Sequence, residues 1–329
     1  MQSYIGQIIE LNVIPEADKI LSATVIAGKG GRWHGVVDKS FEVNNYCVVF
    51  LPDSIVPENE NLEFMAKHKW IVKQKRFRGA PSEVLITKIG IFPQLKNQVF
   101  DIGDCVDDLI GTKKYEKPIE TSMIGVIAGD HPSYVPKTDE HNFQTVDHIR
   151  NHFKENKTEV YVSVKYDGTS LGIIHRDGEF LGCSRNNSLV DDPNIGVWKI
   201  IYEYDLKNKL PKFGNIALQM EGIGPKIQKN PCGLLKLEPR VFNVYDIEKH
   251  RYYDFKEAYE ITTRLGLPFV EILYTGEYNF DDRLQTYPDG FKYPANQKQI
   301  EGVVIRATTE QRIMGDRSSF KVISLLYGK

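Results

Sequence analysis

The chain has 329 residues, enough for two domains with a core in each. Hydrophobic residues make up 41% and charged residues 26%, an ordinary balance for a soluble globular protein. The formal net charge of −2 excludes overall charge as the source of any nucleic-acid contact, which must come from a local patch.

The four cysteines, Cys47, Cys105, Cys183 and Cys232, include no Cys-x-x-Cys pair. That argues against a zinc site or a disulfide framework and suits a reducing compartment. The start, Met1-Gln2-Ser3-Tyr4-Ile5-Gly6, lacks the basic and apolar regions of a secretory signal, and no apolar run is long enough to span a bilayer. A soluble, intracellular protein is expected, with the compartment left open. The eight histidines form no His-Glu-x-x-His spacing, and no Gly-x-x-x-x-Gly-Lys loop marks a P-loop ATPase.

Short β-rich runs open the chain: Gln7 to Val13, Ala23 to Ala27, Gly35 to Val37, Tyr46 to Leu51 and Glu83 to Ile89. Gly, Pro, Asp and Asn punctuate them, as in a small barrel or sandwich. Between the last two lies Lys67-His68-Lys69-Trp70-Ile71-Val72-Lys73-Gln74-Lys75-Arg76-Phe77-Arg78, with six Lys/Arg and no acid. Two readings stand. Lys69, Lys73, Lys75, Arg76 and Arg78 track phosphates while Trp70 and Phe77 stack on bases, or the segment is a solvated edge strand kept from aggregating by its lysines, with Trp70 in the core. From Gly111 to about Glu120 the chain turns polar and reads as a linker, giving domains over 1–117 and 118–329.

The second part mixes strands and helices. Val146, Ile149 and Phe153 have helical spacing. Glu159 to Lys165 alternates, with Val160, Val162 and Val164 on one face and Tyr161, Ser163 and Lys165 on the other. Leu171 to Arg176, Asp177-Gly178, then Glu179 to Ser184 reads as a hairpin, expected to bring Arg185 back beside Lys165. A helix is predicted over Val197 to Leu206. Another starts at Asp254 with Glu257 as a capping box and stops at Gly266. Strands are predicted over Ile216 to Glu221, Val241 to Ile247, Glu301 to Arg306 and Ser319 to Ile323.

Lys165-Tyr166-Asp167-Gly168 sets an amine beside a carboxylate at a tight turn. Taken alone, such a lysine is a surface residue near a turn. A lysine becomes nucleophilic only when its surroundings lower its pKa. Yet Lys165, Arg185, Glu221, Glu301 and Lys321 all fall at strand ends of one domain, and charges there are costly to bury unless paired or bound to a ligand.

This ordered series resembles the motifs of the covalent nucleotidyltransferases, the DNA ligases, RNA ligases and mRNA capping enzymes. Ser170, where DNA ligases and capping enzymes usually carry Arg, narrows the resemblance to RNA ligases. So do Tyr134-Val135-Pro136-Lys137-Thr138-Asp139-Glu140 and the run from Glu221-Gly222-Ile223-Gly224 through Lys226 and Lys229 to Asn230. The chain stops soon after Lys321, which leaves no room for a C-terminal OB domain; the extra β domain is N-terminal, as in RNA ligases of the Naegleria type. The resemblance implies an α+β chain: an OB-like β-barrel that binds nucleic acid, then an adenylyltransferase domain built on antiparallel sheets with flanking helices.

It further implies ATP-dependent joining of RNA 3′-hydroxyl and 5′-phosphate ends, through lysyl-AMP on Lys165 and RNA-adenylate, in RNA repair by nick sealing. Arg185 and Lys321 would neutralise α-phosphate oxygens. Asp167, Glu221 and Glu301 would hold hydrated Mg²⁺ or Mn²⁺. Glu301 or Asp167 would alternatively touch the ribose, and Phe242 is either an adenine-stacking ring or a core residue. RNA is the expected partner and a monomer the expected state. Lys321-Val322-Ile323 lacks the second lysine usual in the last motif, with Arg306, Arg317 or Lys226 as possible substitutes. The alternatives are a DNA ligase or GTP-dependent capping-type enzyme, and a non-catalytic RNA-binding protein.

Overall fold

The computed structural model describes residues 1–28, 30–115 and 126–327, without the side chains of residues 281 and 282. Tertiary contacts divide the chain into two compact units, Met1–Pro118 with Phe143–Asp147, and Ile119–Asn142 with His148–Lys329. The expected boundary at 117/118 and the end of the expected linker lie outside the described residues.

The first unit carries a five-stranded antiparallel sheet in the order 31–38, 20–27, 3–13, 46–50, 85–88. Tyr46–Phe50 is apolar almost throughout because both faces of the sheet are covered. Cys47 and Val49 join Ile8, Val25, Trp33 and Ile86 in one core. Val48 and Phe50 join Ile5, Leu62, Phe92 and Val106 in the other. The period of two therefore sorts successive side chains into different cores rather than into core and solvent. The edge strands approach closely, with the Glu83 N–H donating to the His34 carbonyl at 2.8 Å. No ladder closes the sheet among the described residues, so it is a half-barrel rather than the closed barrel that was expected.

The second unit is built mainly on two antiparallel sheets, with a small two-stranded one at residues 312–313 and 316–317. The larger runs 127–130, 187–189, 179–183, 169–176, 216–223, 238–246, 251–252; the smaller runs 272–277, 159–165, 302–307, 319–323. Ile216, Leu218 and Met220 pack against helices Gly196–Glu203 and Phe255–Leu265 through Trp198, Ile201, Ile261 and Leu265. Helix Phe255–Leu265 begins at the expected Asp254–Glu257 capping box and ends on Gly266 at φ 76°, a left-handed conformation that glycine adopts without strain. Helix Asp147–Glu155 sets Phe153 against Phe320 of the smaller sheet, ring centroids 6.0 Å apart.

Two sequence expectations change. Tyr161 and Ser163 are as buried as the valines that alternate with them, so both faces of the lysine strand are covered. The hairpin at 169–183 does not return to that strand either: it belongs to the larger sheet, and Tyr166-Asp167-Gly168 carries the chain from one sheet to the other. Among the described residues no helix is long and apolar enough to cross a membrane.

Candidate active site

Lys165 ends its strand where the two sheets of the second unit meet. On one side it is paired in register with Gly302, which sets the preceding Glu301 beside the amine. On the other, Ser170 is paired with Glu221, which brings that carboxylate across from the Asp167–Gly168 crossing. Strand 302–307 in turn pairs Val304 with Lys321. Four residues scattered over more than 150 positions of sequence thus converge through antiparallel registers.

Both glycines of the two motifs are there for space. A Cβ on Gly168 would lie 2.4 Å from the Gly222 carbonyl oxygen and 2.7 Å from Glu221 Cγ. One on Gly302 would lie 2.2 Å from the Val322 carbonyl oxygen. Those approaches are far inside van der Waals contact, so only glycine lets the strands carrying the carboxylates and Lys321 come this close.

Lys165 Nζ donates to Glu301 Oε2 at 2.6 Å, with a quarter of its side chain exposed. Burial opposes the ammonium charge, but Glu301, Glu221 and Asp167 outweigh it and hold the lysine above its ordinary pKa. With only these groups around it the amine is clamped in its protonated form. Burial, together with mutual repulsion, pushes Glu221 up to about 7 and also raises Glu301. Burial and the neighbouring Lys165 push Lys321 down. Asp167 accepts a 2.5 Å hydrogen bond from the Tyr327 hydroxyl.

Asp167 beside two glutamates whose ionisation is disfavoured makes a half-buried donor set suited to a hard cation. Among the described residues no three His, Cys, Asp or Glu side chains form a direct metal cage.

The remaining expected site residues fall into two groups. Arg185 is exposed and forms an ion pair with Asp139. Lys137 Nζ donates to Asn186 Oδ1 at 2.9 Å, and Thr138 and Ser170 hydroxyls lie 3.4 Å apart, so the 134–140 segment borders the same face. Phe242 is half-buried, with the Arg306 guanidinium 5.8 Å from its ring centre. Arg306 and Arg317, two candidates for the missing second lysine, are committed elsewhere. Arg306 donates to Glu140 at 2.7 Å and Arg317 to Glu310 at 2.8 Å. Lys226 is exposed on a left-handed turn at φ 66°.

Sequence reasoning gave Glu140, within the 134–140 segment, no role, and it missed Tyr327 and the layer beneath the lysine. There Tyr166 stacks on Tyr293 at 5.9 Å, and Arg240, bonded to Glu238 at 2.8 Å, lies over the Tyr166 ring. Burial pushes the Cys232 thiol beside Tyr293 up to about 11, so it stays protonated and unreactive. Only the aromatic and carboxylate composition near the motifs signals any of this in the sequence.

In the first unit the basic segment is not one edge strand. It forms the 3₁₀ helix Glu60–His68, a left-handed corner at Lys69 and Trp70 (φ 55° and 60°), and the short strand Lys75–Phe77. Trp70 packs half-buried against the core with Leu62 and Val72, while Phe77 stays exposed. Arg76 donates to the Gly79 carbonyl at 2.9 Å and Arg78 to that of Glu16. Lys69 and Lys73 point to solvent, and Lys75 lies 2.7 Å from His68.

Among solved structures the chain is similar to Naegleria gruberi RNA ligase. A mutant of that enzyme with ATP and Mn matches with TM-score 0.80 and 26% identity, over 99% of this chain and 98% of that one. The same ligase with PPi matches with TM-score 0.78 and 27% identity, over 99% and 97%. A third, another mutant with ATP and Mn, matches with TM-score 0.78 and 28% identity, over 98% and 97%. No curated protein sequence matches. The profile of the RNA ligase family matches residues 158–323, from the lysine strand to the last strand of the smaller sheet, and on this match the chain belongs to the RNA ligase family.

Proposed function

We propose that the chain is an ATP-dependent RNA ligase that joins a 3′-hydroxyl to a 5′-phosphate, with Lys165 as the residue that carries AMP. The observation that supports this most is the Lys165–Glu301 contact at 2.6 Å among Glu221, Asp167 and Lys321. In the first step Lys165 Nζ bonds to the α-phosphorus of ATP, the bond from that phosphorus to the β-phosphate oxygen breaks, and pyrophosphate leaves. The amine must shed its protons, and Glu301 Oε2 is the nearest acceptor. In the second step an RNA 5′-phosphate oxygen takes the AMP, the phosphorus–nitrogen bond breaks, and the amine is re-protonated. In the third a 3′-hydroxyl attacks the 5′-phosphorus and AMP leaves.

Lys321, packed next to Lys165, supplies positive charge where the α-phosphate must sit, and Arg185 adds a forked contact once released from Asp139. Asp167, Glu221 and Glu301 would hold Mg²⁺ or Mn²⁺, which when bound offsets phosphate charge and disfavours the ammonium form of the lysine. Phe242 stacks on adenine. Lys226 is the cation left to stand in for the second lysine of the last motif. The half-barrel unit is an OB-like module that holds RNA through Lys69, Lys73, Lys75, Arg76 and Arg78. The protein acts as a soluble monomer in RNA repair, sealing nicks.

The test is incubation with labelled ATP or GTP and a divalent ion. A covalent adduct with ATP that vanishes in Lys165→Ala is expected. An adduct with GTP alone would point to capping chemistry, and none at all to a non-catalytic RNA-binding protein. A second assay, comparing nicked RNA, nicked DNA and single-stranded RNA, separates RNA from DNA ligation.

A further inference from the structure

The first unit contains a cleft of about 540 Å³ between the 3₁₀ helix Glu60–His68, the strand Lys75–Phe77 and the half-barrel sheet. That is the size of a small-molecule site. Its floor is apolar, formed by Phe41, Val84, Ile86 and Val72, all buried. Two phenylalanines on its wall stay open to solvent, Phe64 at 53% and Phe77 at 43% exposed. Its charged boundary is four lysines, Lys67, Lys73, Lys75 and Lys88, against Asp38 as the single acid, with Asn61, His68, Ser82 and Thr87 as neutral polar groups. Asp38 is engaged by the Ser40 backbone at 2.7 Å, and Lys88 lies over the Phe41 ring at 5.6 Å.

An exposed aromatic pair beside an apolar floor fits a flat ring. On the rim the Lys75 ammonium donates to the His68 ring nitrogen at 2.7 Å, and Lys67, Lys73 and Lys88 add positive charge to which phosphates would bind. Burial and the neighbouring lysines lower the pKa of both groups, so His68 is a neutral acceptor and the positive charge of the rim rests on its lysines. One ligand supplies both features, a nucleotide, with its base against Phe64 and Phe77 and its phosphates on the lysines.

We propose that this cleft takes an unpaired nucleotide of the RNA, so that the first unit grips bases as well as backbone. The inference rests on the reading of this unit as an RNA-binding module, and it is sharper, because backbone tracking alone needs no apolar cleft.

The test measures binding of the full-length protein to a single-stranded RNA of about ten nucleotides and to its abasic counterpart, by fluorescence anisotropy. The wild type should bind the abasic strand about tenfold more weakly. The double variant Phe64→Ala/Phe77→Ala should lose about tenfold on intact RNA and nothing on abasic RNA. Both rings are exposed, so the variant should fold, and an unchanged lysine adenylylation rate checks this. Equal wild-type affinity for the two strands would overturn the proposal and favour an acidic protein segment as the occupant. A double variant indistinguishable from wild type on intact RNA would also overturn it. In either case, weakened binding by Lys73→Glu/Lys75→Glu/Arg76→Glu would leave the RNA-binding reading standing, and unchanged binding would remove both.

Discussion

Gly168 shows how far one missing side chain sets the chemistry of this site. A methyl group there would meet the Gly222 carbonyl at 2.4 Å and Glu221 Oε1 at 2.9 Å. The carbonyl belongs to a strand fixed by its ladder to residues 169–175, so the clash cannot be relieved by a rotamer change. The strands must part, and Glu221 and Asp167 move relative to the amine. Gly168→Ala should cost about 1–3 kcal/mol in urea unfolding, the usual range for overpacking. It should slow lysine adenylylation by about 100-fold, since ångström-scale displacement of reacting groups has that effect. A wild-type single-turnover rate would mean that the glycine serves only the turn of the chain.

At the level of elements, the segment 134–140 is tied to both sheets of its unit by polar groups. The Gln219 side chain donates to the Pro136 carbonyl at 2.7 Å, Asn243 to Gln219 at 2.9 Å and Arg317 to Asn243 at 2.9 Å. Glu140 anchors the far end, bonded to Arg306 and to the Ser319 hydroxyl. Burial works against its charge, but Arg306 and Arg317 overcome that and hold the carboxyl below the ordinary range. Arg306 is only 3% exposed, so Glu140→Ala strands a buried cation and should destabilise the protein by about 3–5 kcal/mol. A depressed carboxylate stabilises the fold above its unfolded pKa and loses that contribution as pH falls through the folded one. The difference in unfolding free energy between wild type and Glu140→Gln should thus be constant at neutral pH and shrink below about pH 4. A difference that grows on acidification would contradict the assignment. This network also marks the limit of what the sequence discloses. Alternation, Asp177-Gly178 and the Asp254–Glu257 box are local, and they made strands, hairpin and helix legible, while the motif order that resembles the ligases singled out Lys165, Glu221, Glu301 and Lys321. Which sheet each strand joins depends on pairings such as Lys165 with Gly302, more than 130 residues apart. Hence the hairpin's true sheet, the partners of Glu140 and the place of Tyr327 were out of reach.

At the scale of the whole molecule, two compact units carry two different charge problems. In one, carboxylates crowd an amine; in the other, cations of the 67–78 segment stand beside an apolar cleft with few acids near them. If the first chemistry is nucleotide transfer and the second is RNA retention, each can be removed alone. Reversing Lys73, Lys75 and Arg76 to Glu touches only the second. Each phosphate deprived of its cation should flatten the dependence of log K on log salt by roughly 0.7 for a single strand, so the three together should lower the slope by about 2. RNA affinity at moderate salt should fall by at least about tenfold. Adenylylation of Lys165 by ATP, which needs no RNA, should stay within about twofold of wild type, an effect well below 1 kcal/mol. Anisotropy titrations at several salt concentrations, run beside the adenylylation assay, measure both quantities on one preparation. An unchanged slope would mean that these three cations meet no phosphate. A parallel loss of adenylylation would mean that the two units do not divide the work in this way.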